Sequence, residues 1–396
     1  MEGTKATDPG GLLARSQLDG AEGFVFVALN YRLGMFGWLS GPSFQIDGTA
    51  NAGLYDQRFA LEWVQQNIHL FGGDPEHVTV MGESAGGGSI LHQITAYGGL
   101  KDNAPFQQAI AQSPAWLNLP SFAQQENTFN AILAYASFVT NTSITTLSQL
   151  RALPTSTLQT VNAIAVGLAD YGTFAFGPAV DGKFVPSLPS LLLLHGQFDK
   201  SVKVMVGHNL NESFIFTSPF INNNTALTDN LRITMPTVTD AAISYIENTL
   251  YPPIYNGSYA YDDEMTRAEL IIAESTFTCN TRYLDVAFKN QTYSYYFTVP
   301  PGFHGEDVPY TFFNGDTSTS DDGLPVIASV ATRFQQYLAG FIMDGNPNSG
   351  GSTRPVFPLY GSNSTVLNID YEDDGKTSKD SVANSRCDWW QRALYA

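Results

Sequence analysis

The chain has 396 residues, enough to bury a large core as one big α/β domain or two ordinary ones. A formal charge of -18 at pH 7 argues against electrostatic binding to nucleic acid or to an anionic membrane. No apolar run approaches the length of a transmembrane helix, and the polar start Met1–Asp8 lacks the apolar stretch of a signal peptide.

The run from Gly23 to Asn30 is continuously apolar and predicts a central parallel strand covered on both faces. Residues 56–68 predict a helix, with Phe59, Ala60, Trp63, Val64 and Ile68 recurring on one face. A loop rich in breakers follows to Pro75. Val78, Val80 and Met81 then form a short apolar strand that ends at Gly82-Glu83-Ser84-Ala85-Gly86, and Ile90 and Leu91 continue into an apolar helix face. This strand, tight turn and helix resemble the nucleophile elbow of an α/β-hydrolase, which strains the serine backbone and lifts the hydroxyl above the sheet edge. Glycines at 82 and 86 are expected where side chains would collide with the neighbouring strand and helix. Further strands are predicted at 106–113, 202–206, 293–299 and 365–369, an amphipathic helix at 328–343, a charged loop at 371–379 and a terminal helix near Trp389. Such alternation indicates a parallel, doubly wound sheet. The expected organisation is a single domain over 1–396, with a core at approximately 20–119, 200–212 and 290–396 and cap insertions at approximately 120–199 and 213–289.

Several phrases carry a resemblance to a known family. They are Asn30-Tyr-Arg-Leu-Gly34-Met-Phe-Gly37, Asn51-Ala-Gly-Leu-Tyr-Asp56-Gln57, Trp63-Val-Gln-Gln-Asn67-Ile, Phe71-Gly-Gly-Asp-Pro75, the elbow, and Val180-Asp-Gly182. Beyond these come Gly207-His-Asn-Leu-Asn-Glu212-Ser-Phe, His304-Gly-Glu-Asp-Val-Pro309-Tyr and Cys387-Asp-Trp-Trp390. Nearly from end to end, the chain resembles the type-B carboxylesterase and lipase family. The resemblance implies an α/β-hydrolase fold with helical cap insertions. It implies hydrolysis of a small-molecule or lipid ester through a serine nucleophile and an acyl-enzyme, with no metal or organic cofactor. Oligomeric state is left open.

Serine needs a base to take its proton, and histidine titrates near the working pH. In this fold the triad runs serine, acid, histidine along the chain. That order excludes His69 and His77, and His92 lies in the helix leaving the elbow. His304 follows the 293–299 strand by a short turn, at the carboxyl edge where ligands gather in open α/β sheets. His208 also ends a strand and is its rival. Glu212 follows the 202–206 strand by one short loop and precedes His304, as an acid holding the imidazole tautomer must. It also matches the family's acid loop. Asp181, Asp199 and Asp307 are weaker candidates. Ala85 would supply a backbone N–H to the oxyanion hole. By the resemblance, Glu83 and Ser113 would belong to a hydrogen-bonded network around the histidine; read alone, position 83 is free in G-x-S-x-G.

The resemblance also pairs Cys279 with Cys387, closing a loop for about 4–5 kcal/mol in the chain-entropy model; two buried thiols are the alternative in a reducing compartment. Sequons at Asn141, Asn211, Asn223, Asn256, Asn290 and Asn363 fit a secreted ancestor and a glycoprotein. No glycine-rich oxyanion loop stands upstream of Phe24, so the chain reads as a family member lacking its first strands, with impaired activity. A catalytically inactive, esterase-fold binding protein is the alternative.

Overall fold

The computed structural model describes residues 8–18, 21–101, 103–115, 121–317, 325–350, 354–372 and 375–396. Among them one six-stranded sheet keeps the chain order: β1 (Thr79–Glu83), β2 (Gln108–Gln112), β3 (Lys203–Asn209), β4 (Tyr293–Phe297), β5 (Thr365–Ile369) and β6 (Thr377–Lys379). The first five run parallel, and β6 returns antiparallel to β5. Parallel neighbours need crossovers, and helix Ala85–Ile94 makes the first.

Side chains on a strand alternate between faces, so the sheet feeds two cores. Val204 and Val206 pack with Ile90, Leu91 and Ile94 of the elbow helix, Leu284 of helix Cys279–Ala287 and Trp390 of helix Ser385–Gln391. Ile110, Met205, Tyr295 and Phe297 face the other way, onto Phe334, Leu338 and Phe341 of helix Ala328–Asp344. A third cluster lies apart. Helices Phe122–Thr140, Leu147–Arg151 and Thr155–Gly167 bury Phe129, Ile132, Leu150 and Val161 together with Met35 and Phe44.

The strand register brings the carboxyl ends level. Glu83 pairs with Gln112, Gln112 with Gly207, and Gly207 with Tyr295. The ladder continues one residue further, from the Ser84 N–H to the Gln112 carbonyl at 3.0 Å and from the Ser113 N–H to the Gly207 carbonyl at 2.8 Å.

Three expectations need correction. The segment 23–30 is not a central strand. Phe24 packs on the second core and Phe26 sits edge-on to Phe312, but Val25 and Val27 are each 45% exposed, so the run is covered on one face only. Its apolar content signalled burial, yet a strand also needs a hydrogen-bonded neighbour. The helix after Asn51 is present as Ala52–Asn67, but with a different buried face: Leu54, Gln57, Arg58, Leu61 and Val64 point inward, while Phe59 is 72% exposed. Two polar residues win the interior because partners await them. Gln57 Nε2 donates to Ser89 Oγ at 3.0 Å and Arg58 to the Gln93 carbonyl at 3.1 Å. Finally, the charged stretch read as a loop up to Lys379 ends in β6, too short and polar for a period-two signal.

Candidate active site

Ser84 stands between β1 and the elbow helix with φ 58° and ψ -119°, in a region a non-glycine residue enters only under constraint. The constraint is visible. Its N–H is held by the Gln112 carbonyl, and its own carbonyl accepts from Gly88 at 2.9 Å and Ala115 at 3.0 Å. Gly82 is required, since a Cβ there would lie 2.6 Å from the Gly86 carbonyl carbon. Gly86 is not, contrary to expectation: a Cβ there would meet open space. The close approach falls one and two residues on, at Gly87 and Gly88, where a Cβ would come within 2.8 Å of the Gln112 oxygen and 2.0 Å of the Ala115 oxygen. The second pair lets the elbow helix settle on the strand neighbouring its own.

His304 and Glu212 meet as the chain order requires. Nδ1 of the imidazole lies 2.5 Å from Glu212 Oε2, and Glu212 Oε1 accepts the Asn209 N–H at 2.6 Å. Both side chains are almost wholly enclosed. Burial acts to raise the Glu212 carboxyl, but the His304 charge and hydrogen bond outweigh it and hold the group below the ordinary carboxylate range. For His304 burial acts downward, and the Glu212 charge and hydrogen bond, with Glu83 and Asp307 behind them, raise it to about 9.

The other imidazole nitrogen faces Glu83. Nε2 lies 3.2 Å from Glu83 Oε1, without an aligned hydrogen bond to Glu83 or Ser84. Burial, reinforced by Asp307 and Glu212 against the opposing pull of His304, pushes the Glu83 carboxyl up to about 8. Ser113 is buried at φ 42°, and its hydroxyl makes no aligned hydrogen bond, so its effect on Glu212 is only a weak pull in the lowering direction. Ala85 opens the elbow helix, so its N–H has no acceptor within that helix.

The remaining candidates lie elsewhere. His208 points to the opposite face of β3, where Nε2 is 3.5 Å from Asp380 Oδ1 and its ring packs on Tyr296 at 4.8 Å. His92 is buried in the elbow helix, and desolvation pulls its pKa down to about 3. Asp181 binds Asn51 Nδ2 and the Lys183 and Val185 N–H groups, a structural turn. Asp199 caps Ala104 and Ser201 in the same way. Asp307 is buried beside the site but accepts from Tyr295 Oη at 2.5 Å and Gln112 Nε2 at 3.0 Å, with no contact to the imidazole nitrogens. The aromatic rings against His304, Phe216 at 5.3 Å and Phe277 at 4.6 Å, carried no sequence signal, because only the fold brings them there.

Beyond Phe216 and Phe277 opens a pocket of about 830 Å³ including its mouth, lined also by Phe174, Leu231, Met235 and Ile271. Among the described residues, Glu274, Cys279 and Cys387 are the group with metal-ligand spacing. Both sulfurs are spent in a disulfide, with Cα atoms 5.2 Å apart.

The family model for the carboxylesterase family matches residues 2–390. The chain belongs to the carboxylesterase family. Carboxylesterase patB of Penicillium expansum is 39% identical over 399 residues, covering 100% of this chain and 68% of that protein. A secreted lipase of Arthroderma benhamiae is 30% identical over 388 residues, covering 93% of this chain and 71% of that one. The crystal structure of Aspergillus niger EstA superposes with a TM-score of 0.79 at 24% identity, covering 98% of this chain and 77% of that chain, a likeness of fold. This carboxylesterase is thus a hydrolase of carboxylic esters on an α/β-hydrolase frame. No described helix is long and apolar enough to cross a membrane.

Proposed function

We propose that this carboxylesterase hydrolyses its ester through Ser84 as nucleophile, His304 as general base and then general acid, and Glu212 as the group that orients and stabilises the imidazolium. The contact that carries the reading is His304 Nδ1 to Glu212 Oε2 at 2.5 Å, at the same sheet edge as the strained serine. Glu212 fixes the Nδ1–H tautomer, which leaves Nε2 to take the Ser84 proton as Oγ attacks the carbonyl. The alkoxy group leaves with that proton. Water then attacks the acyl-enzyme by the same route, releasing the acid and free Ser84. The Ala85 N–H is one donor to the tetrahedral oxyanion.

The substrate we propose is a neutral ester with an apolar group. The phenylalanine-walled pocket beside His304 favours such a group, and the strongly negative chain disfavours an anionic one. Secretion is proposed as well, supported by the disulfide and by relatives that are secreted lipases. The deciding experiment uses p-nitrophenyl butyrate turnover and a fluorophosphonate probe on the parent and on Ser84→Ala. Turnover and labelling that vanish together support the serine. Labelling that persists in Ser84→Ala would remove Ser84 from the role.

A further inference from the structure

Asn209 ends β3 and is 1% exposed. Its backbone N–H donates to Glu212 Oε1 at 2.6 Å. Its side chain works on the other partner. Nδ2 donates to the Phe303 carbonyl at 2.8 Å and lies 3.5 Å from Asp307 Oδ1. One residue therefore touches the acid through its main chain and both flanks of His304 through its amide. The two loops also meet further out, where Asn211 bridges to Phe303, its N–H donates to the Gly302 carbonyl at 2.7 Å and its Nδ2 to the Pro301 carbonyl at 2.6 Å. Asn211 is exposed, whereas Asn209 makes its bonds in the interior, where hydrogen bonds are stronger and geometry is better fixed.

We infer that Asn209 is a positioning residue, whose amide sets the separation of the Glu212 and His304 loops and so aims the imidazole at Ser84. The inference rests on the triad proposed above. A positioning role for the amide, and not merely for its volume, follows from its polarity. Oδ1 has no donor, so the side chain acts here only through Nδ2. The groups that Nδ2 faces, the Phe303 carbonyl and the Asp307 carboxyl, both present lone pairs. Replacing Nδ2 by oxygen would set acceptor against acceptor at unchanged volume, while any residue but proline keeps the backbone bond to Glu212.

The test compares Asn209→Asp and Asn209→Ser with the parent on p-nitrophenyl butyrate across pH. In parallel, the low-field Nδ1–H resonance of His304 is followed in protein carrying ¹⁵N-histidine. A reacting group misplaced by about 1 Å can lose roughly a hundredfold in rate. The expected result is a kcat lower by about ten- to a hundredfold, a KM within about twofold, and an Nδ1–H signal shifted or lost. Folded variants with kcat within about twofold of the parent and an unmoved signal would overturn the inference. Failure of both variants to fold would overturn it too, making Asn209 a residue of stability alone. An inactive parent that still shows the signal, displaced by Asn209→Asp, would count against the triad and not against the positioning.

Discussion

At the residue scale the site is a contest over one imidazole. Glu212 holds Nδ1, and Glu83 stands 3.2 Å from Nε2, the nitrogen that in the proposed mechanism must be free to accept a proton from Ser84. The two carboxylates raise His304 to about 9, and neutral imidazole is the competent base, so turnover should climb through the alkaline range. The sign for Glu83 follows. Its anion favours the imidazolium, so Glu83→Gln removes one of the raising charges, lowers the His304 pKa and moves the rising limb of kcat/KM to lower pH. A pH profile that keeps its limb in place, or moves it upward, would show that Glu83 does not act on His304 electrostatically. Glu83 also titrates near 8, so the limb reports a coupled pair, not a single group.

At the element scale the elbow depends on which glycine touches what. Gly88→Ala would press a methyl group to 2.0 Å from the Ala115 carbonyl oxygen, and backbone on both sides leaves little room to yield. Overpacking of this kind costs about 1–3 kcal/mol, against a helix-propensity gain from alanine of about 1 kcal/mol. The expected outcome is a lower Tm and reduced turnover, as the elbow helix is pushed away from the strand end that carries Ser113. Gly86→Ala meets open space and should leave Tm unchanged or slightly raised. Thermal melts of the two single variants check the contrast, and equal Tm values would refute it. A second local device lies in the π-helical turn Glu274–Thr278, between helices Glu264–Ala273 and Cys279–Ala287. The wider turn sits where Phe277 meets His304, in keeping with the tendency of π-turns to occur at functional sites.

At the scale of the whole molecule, the end of the chain is tied back to the sheet. The Cys279–Cys387 disulfide spans 108 residues and joins the terminal helix to the helix that covers β3. Around it, Arg386 pairs with the buried Glu274, and Trp390 Nε1 donates to Tyr251 Oη at 2.7 Å. The double variant Cys279→Ala/Cys387→Ala is expected to lose about 2–5 kcal/mol in denaturant unfolding. A loss under about 1 kcal/mol would mean that these polar ties and the packing of Trp390 hold the helix without the covalent bond. On this same face of β3, the contact of His208 with Asp380 ties the strand to the residue just after β6, while Asn209, on the other face, turns toward Asp307 and the active site.

Much of this was legible in the residues. A short apolar strand, a glycine-flanked serine and a small-residue helix start define the elbow locally, because strand, turn and helix propensities act within a few positions. The order of Ser84, Glu212 and His304, and their placement after strands, needed only a parallel sheet whose carboxyl ends share an edge. The pairing of the cysteines came from resemblance to a family. Tertiary structure decided what depends on neighbours distant in sequence. It turned Phe59 outward and Gln57 inward, since a buried amide is tolerated only where a Ser89 waits for it. It denied Gly23–Asn30 a place as a central strand, moved the tight glycine contacts from Gly86 to Gly87 and Gly88, and brought Phe277 and Asn209 against the two loops of the site. Local composition sets which conformations a segment favours; burial, hydrogen-bond partners and steric contact are properties of pairs, and the pairs exist only once the chain has folded.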